Sequence, residues 1–361
     1  REAMFHILER YGFPKHFVNV LKRFHDGSRL HAKVGKTQFE VPNKAGPRCG
    51  DSAAPDLFNI CMMAIFELIK WPPGTAPVFV TSKYMNGVKK HFELPNNEFA
   101  DDVWLMAIVR AAIELFLAEF QRVVKAASGM TVHAAQEPDP EPEDKSKSVA
   151  MLFPPPNTRY EDFDTSVLSL KTGTPGRCTY VHFVKQTVYL GVVIHFDLGA
   201  GEAIQARVTQ ATAMFAKYAN VLTSADFVPK VKGSLMAAVV LPSLLYGSEV
   251  WTATVAQKRA LTTFWMGCCR SALGITQRST ALNRIHSETV RERLGVKAIE
   301  VYMRQRRLSW YGTLARMGPN RYPRYLLTSS VCVGENDEQP RPRAACALDR
   351  CGGRPRQTEV R

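Results

Sequence analysis

The residues of this chain with the clearest potential for chemistry are two adjacent carboxylates, Asp101 and Asp102, followed by an apolar run that begins at Val103. Like charges held this close repel each other, and a divalent cation is the usual way to hold both beside an apolar segment. Neighbouring strand residues point to opposite faces, so both side chains reach one ion only from a tight turn. The pair therefore indicates a divalent-cation site, and the alternative is an exposed Asp-Asp turn between two strands.

The elements that must position this pair are predicted from apolar periodicity and turn residues. Before the pair they are two short helices over 4–24, a β-hairpin over 30–41, a polar loop over 43–54, a helix over 55–69, and strands over 78–94 around Asn86-Gly87. After the pair they are a helix over 108–127, strands over 149–153, 167–170, 179–184 and 187–194, and helices over 204–222, 228–246, 255–273, 289–294 and 299–317.

Two segments lack the apolar residues that a packed core needs. The stretch at about 134–148 is acidic and rich in proline, and the tail from Thr328 is rich in Pro, Gly and Arg, so both are predicted to be disordered. The fold class is therefore α+β. A mixed helix-and-strand unit over 1–197 is followed by an all-helical unit over 198–327 and a basic tail over 328–361.

Charge and composition limit the partners and the compartment. The net charge of the 361 residues is +14, and positions 270–361 alone carry 18 Lys plus Arg against 8 Asp plus Glu. This balance favours a polyanionic partner, and the alternative is a basic surface without one. The irregularly spaced cysteines predict reduced thiols and no disulfide-linked partner. Because no signal peptide or apolar membrane span is present, we expect an intracellular protein, nuclear or cytoplasmic, that contacts no membrane and is not secreted.

Taken in order, several short segments resemble the reverse transcriptase of non-LTR (LINE-type) retrotransposons, from the first residue to roughly Met317. The segments are Tyr11-Gly12-Phe13-Pro14, Gly46-Pro47-Arg48-Cys49-Gly50, Ser52-Ala53-Ala54-Pro55-Asp56-Leu57-Phe58-Asn59-Ile60, Phe99-Ala100-Asp101-Asp102, Gly129-Met130-Thr131-Val132, Tyr189-Leu190-Gly191, Leu244-Leu245-Tyr246-Gly247-Ser248-Glu249-Val250-Trp251 and Arg306-Arg307-Leu308-Ser309-Trp310-Tyr311-Gly312. A lone Ala-Asp-Asp is weak evidence for this family, whereas several segments in the family's order over most of the chain are strong evidence.

This resemblance implies a fold, an activity and a set of partners. The fold is a partial polymerase palm, an antiparallel sheet with flanking helices, over 1–197, and a thumb-like helical domain over 198–327. The activity is RNA-directed DNA synthesis, with an RNA template, a DNA primer and a dNTP as partners. Asp101 and Asp102 would be the catalytic residues and would hold Mg²⁺ or Mn²⁺ in a two-ion site.

The resemblance also gives roles to residues outside the carboxylate pair. Nucleotide or template contacts are expected at Arg48, Gly50, Phe99, Ala100 and Lys147 (or Lys145), a primer grip at Tyr189, Leu190 and Gly191, and nucleic-acid backbone contacts at Arg304, Arg306 and Arg307. The lysine would protonate the leaving pyrophosphate. Alternatives from the residue types alone are an ordinary loop glycine at Gly50 and solvated charges at the lysine and the arginines.

The chain also departs from the family pattern. The family's first metal-binding aspartate is expected a few residues before Arg1, and Asp51 adds an anion to the expected nucleotide loop. Cys49 and Ala54 stand where the family has Gln and Ser. Two hypotheses follow: a fragment of a reverse transcriptase that is inactive alone because its metal site is incomplete, or a non-catalytic nucleic-acid-binding remnant of a retrotransposon.

Overall fold

The computed structural model describes residues 1–43, 45–48, 50–70, 79–83, 89–93, 96–138, 147–155, 157–171, 178–318, 321, 323–324 and 330–331. Within these ranges the chain combines helices with small sheets, so the α+β class is confirmed. No described helix has both the length and the apolar character that crossing a membrane requires. The described helices are α1 Glu2–Arg10, α2 Lys15–His25, α3 Ala54–Leu68, α4 Arg110–Ser128, α5 Gly201–Lys217, α6 Ala219–Leu222, α7 Pro229–Leu244, α8 Val255–Ala272, α9 Gln277–Leu282, α10 Ser287–Leu294 and α11 Ile299–Arg316.

The strands form several small sheets. They are β1 Arg29–Val34, β2 Thr37–Pro42, β3 Phe79–Lys83, β4 Lys89–Glu93, β5 Asn96–Phe99, β6 Asp102–Leu105, β7 Val149–Ala150, β8 Leu168–Lys171, β9 Cys178–Phe183, β10 Gln186–Tyr189, β11 Val192–His195 and β12 Ser330–Val331. These strands pair in five sheets of two or three strands, so a palm built on an antiparallel sheet stays a prediction. One pairing, β7 with β9, is parallel.

Helices α1 to α4 bury their apolar stripes against one another. Phe5 and Leu8 of α1 pack with Val18 of α2 and Leu57 of α3. Farther along α3, Ile65 packs with α4. The second cluster also receives side chains from β6, and this contact fixes one face of the strand that carries Asp102.

The three-stranded sheet β7-β9-β8 packs against the N-terminal half of α4. The core of this sheet includes Leu168, Val181 and Ala134. The prediction of disorder over 134–148 is therefore wrong at the start of that segment. Ala134 and Ala135 are buried, and Ala135 pairs with Tyr180 of β9. Packing against the sheet stabilises these residues, whereas positions 139–146 lie outside the described residues.

Helices α5 to α8, α10 and α11 share one hydrophobic core, in which Trp265, Leu244 and Leu261 are among the fully buried side chains. Helix α8 begins with a capping box: Thr254 Oγ1 accepts from the Gln257 amide, and Gln257 Oε1 accepts from the Thr254 amide. The predicted helices over 228–246, 255–273 and 299–317 are confirmed to within about two residues at each end. Helix α9 was not predicted, since it has no buried face.

The tail differs from its prediction at one place. Residues 330–331 form β12 and pair with Thr81 and Val80 of β3, so this part of the predicted disordered tail is ordered by backbone hydrogen bonding. The other tail positions beyond 324, and the predicted Asn86-Gly87 turn, lie outside the described residues. The proposed limits of the three units stay predictions.

Candidate functional site

The two carboxylates lie at the tip of the β5–β6 hairpin. Phe99 pairs with Asp102, which leaves Ala100 and Asp101 as a two-residue turn. Ala100 has a φ of +55°, a left-handed conformation that lets the chain reverse this tightly. Asp101, Asp102 and Phe99 are all exposed. The turn predicted from the sequence is therefore present, and both carboxylates are open to solvent.

Strand β6 presents different residues to its two faces. Val103 and Leu105 pack against the core between α3 and α4. Because side chains alternate along a strand, Asp102 and Trp104 share the other face. Burial of one face thus orients the carboxylate that lies on the opposite face.

A second hairpin contacts this carboxylate-bearing face. The Trp104 and Tyr189 rings meet edge to face with centroids 5.1 Å apart, and Trp104 also stacks on Phe153 at 6.2 Å. Burial, and then the charge of Asp102, raise the pKa of the Tyr189 phenol. Its hydroxyl is enclosed and has no hydrogen-bond partner in the described structure. Asp102 and the predicted primer-grip residue Tyr189, 87 positions apart, are therefore neighbours.

The turn of the second hairpin consists of Leu190 and Gly191, with φ values of +47° and +74°. Its carbonyls accept hydrogen bonds from Tyr246 and Arg207. Partial burial lowers the pKa of Arg207, although a guanidinium still keeps its charge at neutral pH. Arg207 was missed from the sequence. Its position four residues from buried Ala203 and from Ala211 places it on the buried stripe of α5, which is the signal that could have identified it.

The two predicted residues of the nucleotide loop, Arg48 and Gly50, differ in their surroundings. Arg48 Nη1 donates to the Phe24 carbonyl (3.3 Å) at the end of α2, where Arg1 Nη1 donates to the next carbonyl, that of His25 (2.8 Å). Two cations at a helix C-terminus suit the helix dipole, so Arg48 has a structural contact besides its predicted role. Gly50 has a φ of +83°, and open space surrounds it.

The predicted lysine is described at only one of its two candidate positions. Lys147 is exposed, and its backbone amide donates to His133 Nδ1 over 3.1 Å. Lys145 lies outside the described residues. No contact in the described structure joins the Lys147 side chain to the carboxylate hairpin, so its role stays a prediction.

The three arginines predicted to track a nucleic-acid backbone face different surroundings. Arg304 is exposed. Arg306 is half-buried, and its Nη1 donates to the Leu245 carbonyl (3.2 Å) and to Glu249 (3.1 Å). Arg307 is buried and donates to two further carbonyls of the same loop. The structure thus gives Arg306 and Arg307 partners within the chain, whereas Arg304 remains open to a ligand.

Possible metal ligands are few in the described ranges. No group of three or more His, Cys, Asp or Glu side chains that could hold a metal ion occurs there. Asp101 and Asp102 supply hard carboxylate oxygens at one hairpin tip, which fits part of a Mg²⁺ or Mn²⁺ site completed by water and substrate phosphate. They do not by themselves complete a cage for two ions.

Comparison with known proteins points to a mobile genetic element. No protein-family model matches the chain. An uncharacterized transposon-derived protein of Caenorhabditis elegans is 29% identical over 150 residues, which cover 42% of this chain and 53% of that protein. The chain thus spans about half the length of this relative. The similarity supports a transposon origin and carries no information on activity.

Proposed function

We propose that this chain forms the second half of the palm and the thumb of an RNA-directed DNA polymerase from a non-LTR retrotransposon. The contact between the two hairpins is the observation that carries this proposal. Through this contact Tyr189 lies beside Asp102. Tyr189 is expected to hold the 3′ end of a primer, and Asp102 is expected to bind the metal ion that acts on that end. The transposon-derived relative supports the origin.

The proposed partners are an RNA template, a DNA primer and a dNTP. The net charge of +14 suits a duplex of high negative charge density. Of the three predicted arginines, exposed Arg304 is the one free to meet a phosphate, since Arg306 and Arg307 bond within the chain. Tyr189, Leu190 and Gly191 would hold the primer strand next to the carboxylates.

Asp101 and Asp102 would hold Mg²⁺ or Mn²⁺. When bound, such ions lower the pKa of the attacking 3′ hydroxyl and neutralise the triphosphate. The chain's own residues would contribute the fixed position of the carboxylates, through the buried face of β6, and the position of the primer end. Because the described residues complete at most part of the ion site, we expect the isolated chain to bind a primer–template without extending it.

The test is binding of the full chain to an RNA–DNA primer–template with a recessed 3′ end, with and without Mg²⁺ plus dNTP. We expect Mg²⁺ and dNTP to tighten binding for the wild type. The double variant Asp101→Asn/Asp102→Asn should lose this increment, whereas Asp226→Asn, which alters a carboxylate in the loop before α7, should keep it. An increment that survives in the double variant would contradict the proposed role of the pair.

The second candidate is a non-catalytic nucleic-acid-binding remnant, which the incomplete ligand set favours. It predicts salt-dependent duplex binding that ignores the 3′ end, the dNTP and both aspartates. A primer-extension assay distinguishes a working polymerase from a non-catalytic remnant. Template-dependent incorporation by the chain, lost in Asp101→Ala, would exclude the remnant and identify a working polymerase.

A further inference from the structure

Two side chains from the helical half hold the turn of the β10–β11 hairpin. Tyr246 Oη donates to the Leu190 carbonyl over 2.9 Å, and Arg207 Nη2 donates to the Gly191 carbonyl. The Arg207 guanidinium also lies over the Tyr246 ring, 4.4 Å from its centroid. Both exposed carbonyls of the turn are thereby bonded to a single stacked pair, which we call the Arg207–Tyr246 clamp.

Two glycines lie where the helical half meets the hairpin. A Cβ on Gly191 would lie 3.6 Å from Cε1 of Tyr246, an ordinary van der Waals distance. A Cβ on Gly247, whose φ is +77°, would lie 2.9 Å from Cγ2 of Val192, so a larger residue there would have to displace that side chain. The helical half therefore contacts the hairpin at its turn and at its second strand.

The turn needs this external support because of its backbone. Leu190 adopts a left-handed conformation that is unfavourable for a side chain bearing a Cβ, and such residues persist where surrounding contacts hold them. Hydrogen bonds to the carbonyls of both turn residues are contacts of this kind. The conformation of the turn therefore depends on the clamp.

The turn in turn determines where Tyr189 lies. Tyr189 directly precedes Leu190, and its ring meets Trp104, which shares a strand face with Asp102. A continuous path of contacts thus leads from α5 and the end of α7, through the turn and Tyr189, to the carboxylate hairpin.

We propose that Arg207 and Tyr246 are positioning residues that set the place of the β10–β11 turn, and with it the end of a bound nucleic-acid strand, relative to Asp101 and Asp102. The positioning of a strand end rests on the proposed function. The dependence of the turn on the clamp does not. The two parts can therefore be tested with separate measurements.

The first measurement is hydrogen–deuterium exchange of the full chain without ligand. Tyr246→Phe removes one hydroxyl hydrogen bond and keeps the ring, so amides over 186–195 should exchange about fivefold faster, as for loss of an ordinary hydrogen bond. Arg207→Lys, which keeps the charge but not the planar fork, should act in the same direction. Tyr302→Phe is the matched control, because its hydroxyl accepts from the Lys297 amide elsewhere in the helical core. Wild-type exchange at 186–195 in Tyr246→Phe, or an equal rise in Tyr302→Phe, would overturn the clamp.

The second measurement uses a primer–template with 2-aminopurine at the primer 3′ end. At saturating protein we expect Tyr246→Phe to change the fluorescence of this base while overall affinity and Tm stay near the wild-type values. Unchanged fluorescence in the variant complex would overturn the positioning role. If the wild type does not bind the primer–template, the proposed function fails together with the positioning role, and the exchange experiment still decides the clamp.

Discussion

Arg307 shows how a charged side chain can serve as part of a core. It is buried on α11, and its Nη2 and Nε donate to the carbonyls of Trp251 (2.6 Å) and Ser248 (3.4 Å). These carbonyls belong to the loop between α7 and α8, where no helix supplies a donor. One guanidinium with several donors in a plane satisfies both carbonyls and ties α11 to the loop.

Replacing this guanidinium should destabilise the fold. Arg307→Ala leaves two buried carbonyls without a donor and opens space in the core, so we expect the free energy of unfolding to fall by about 2–4 kcal/mol. Urea denaturation followed by circular dichroism measures the change. The matched control is Arg304→Ala on the exposed face of the same helix, expected to shift stability by less than about 0.5 kcal/mol. Equal stability of the two variants would show that the buried hydrogen bonds are unimportant.

At the scale of elements, α7 and α10 approach each other closely in the helical core. A Cβ on Gly233 would lie only 1.9 Å from the Leu294 carbonyl oxygen, near the end of α10. Beside it, Lys232 is buried, and its Nζ donates to the Ala272 carbonyl (2.9 Å) at the end of α8. The N-terminal part of α7 thus meets the C-terminal ends of two helices: Gly233 allows the first contact because it has no side chain, and the Lys232 ammonium makes the second.

A methyl group at this crossing should separate the helices. Gly233→Ala is expected to lower the free energy of unfolding by about 3 kcal/mol or more, since the obstacle is backbone and cannot rotate away. Gly267→Ala in α8 has open space around it and should instead raise stability by about 0.5–1 kcal/mol through helix propensity. Thermal unfolding of both variants measures the contrast. A tolerated Gly233→Ala would mean that the two helices do not cross this closely.

At the scale of the whole molecule, the helical half has its own large core, which buries two neighbouring thiols. Cys268 and Cys269 of α8 lie inside this core. Burial raises the pKa of the Cys268 thiol to about 11 and that of Cys269 to about 12. Neither thiol can ionise readily while the core is packed.

These thiols make stability depend on alkaline pH. Their usual pKa is 9.0, so the unfolded chain releases both protons at a lower pH than the folded chain does. The contribution to stability is therefore complete below about pH 9 and decreases as the pH rises toward 11–12. Urea midpoints measured at about pH 8 and about pH 10 should show this loss, and the double variant Cys268→Ala/Cys269→Ala should show less of it. An equal loss in the variant would assign the effect to other groups.

Much of the local structure could be predicted because it depends on residues close in sequence. Alternation over 30–41 produced the β1–β2 hairpin, and the two aspartates after Phe99-Ala100 form the turn and strand start expected of them. The arginines of α11 could not be assigned in this way. Arg307 follows Ile299 and Met303 at helical spacing, so it falls on the buried stripe, but only the loop packed against that stripe shows what it binds.

The sequence by itself determined most of the helices and hairpins, the turn at the two carboxylates and the basic charge, because periodicity, turn residues and charge act over a few positions. Only the tertiary structure decided that Tyr189 meets Trp104 beside Asp102, and that Arg207 and Tyr246 bond to the turn of that second hairpin. These contacts join residues that are up to 85 positions apart. Their geometry depends on how whole elements pack, which no local pattern encodes.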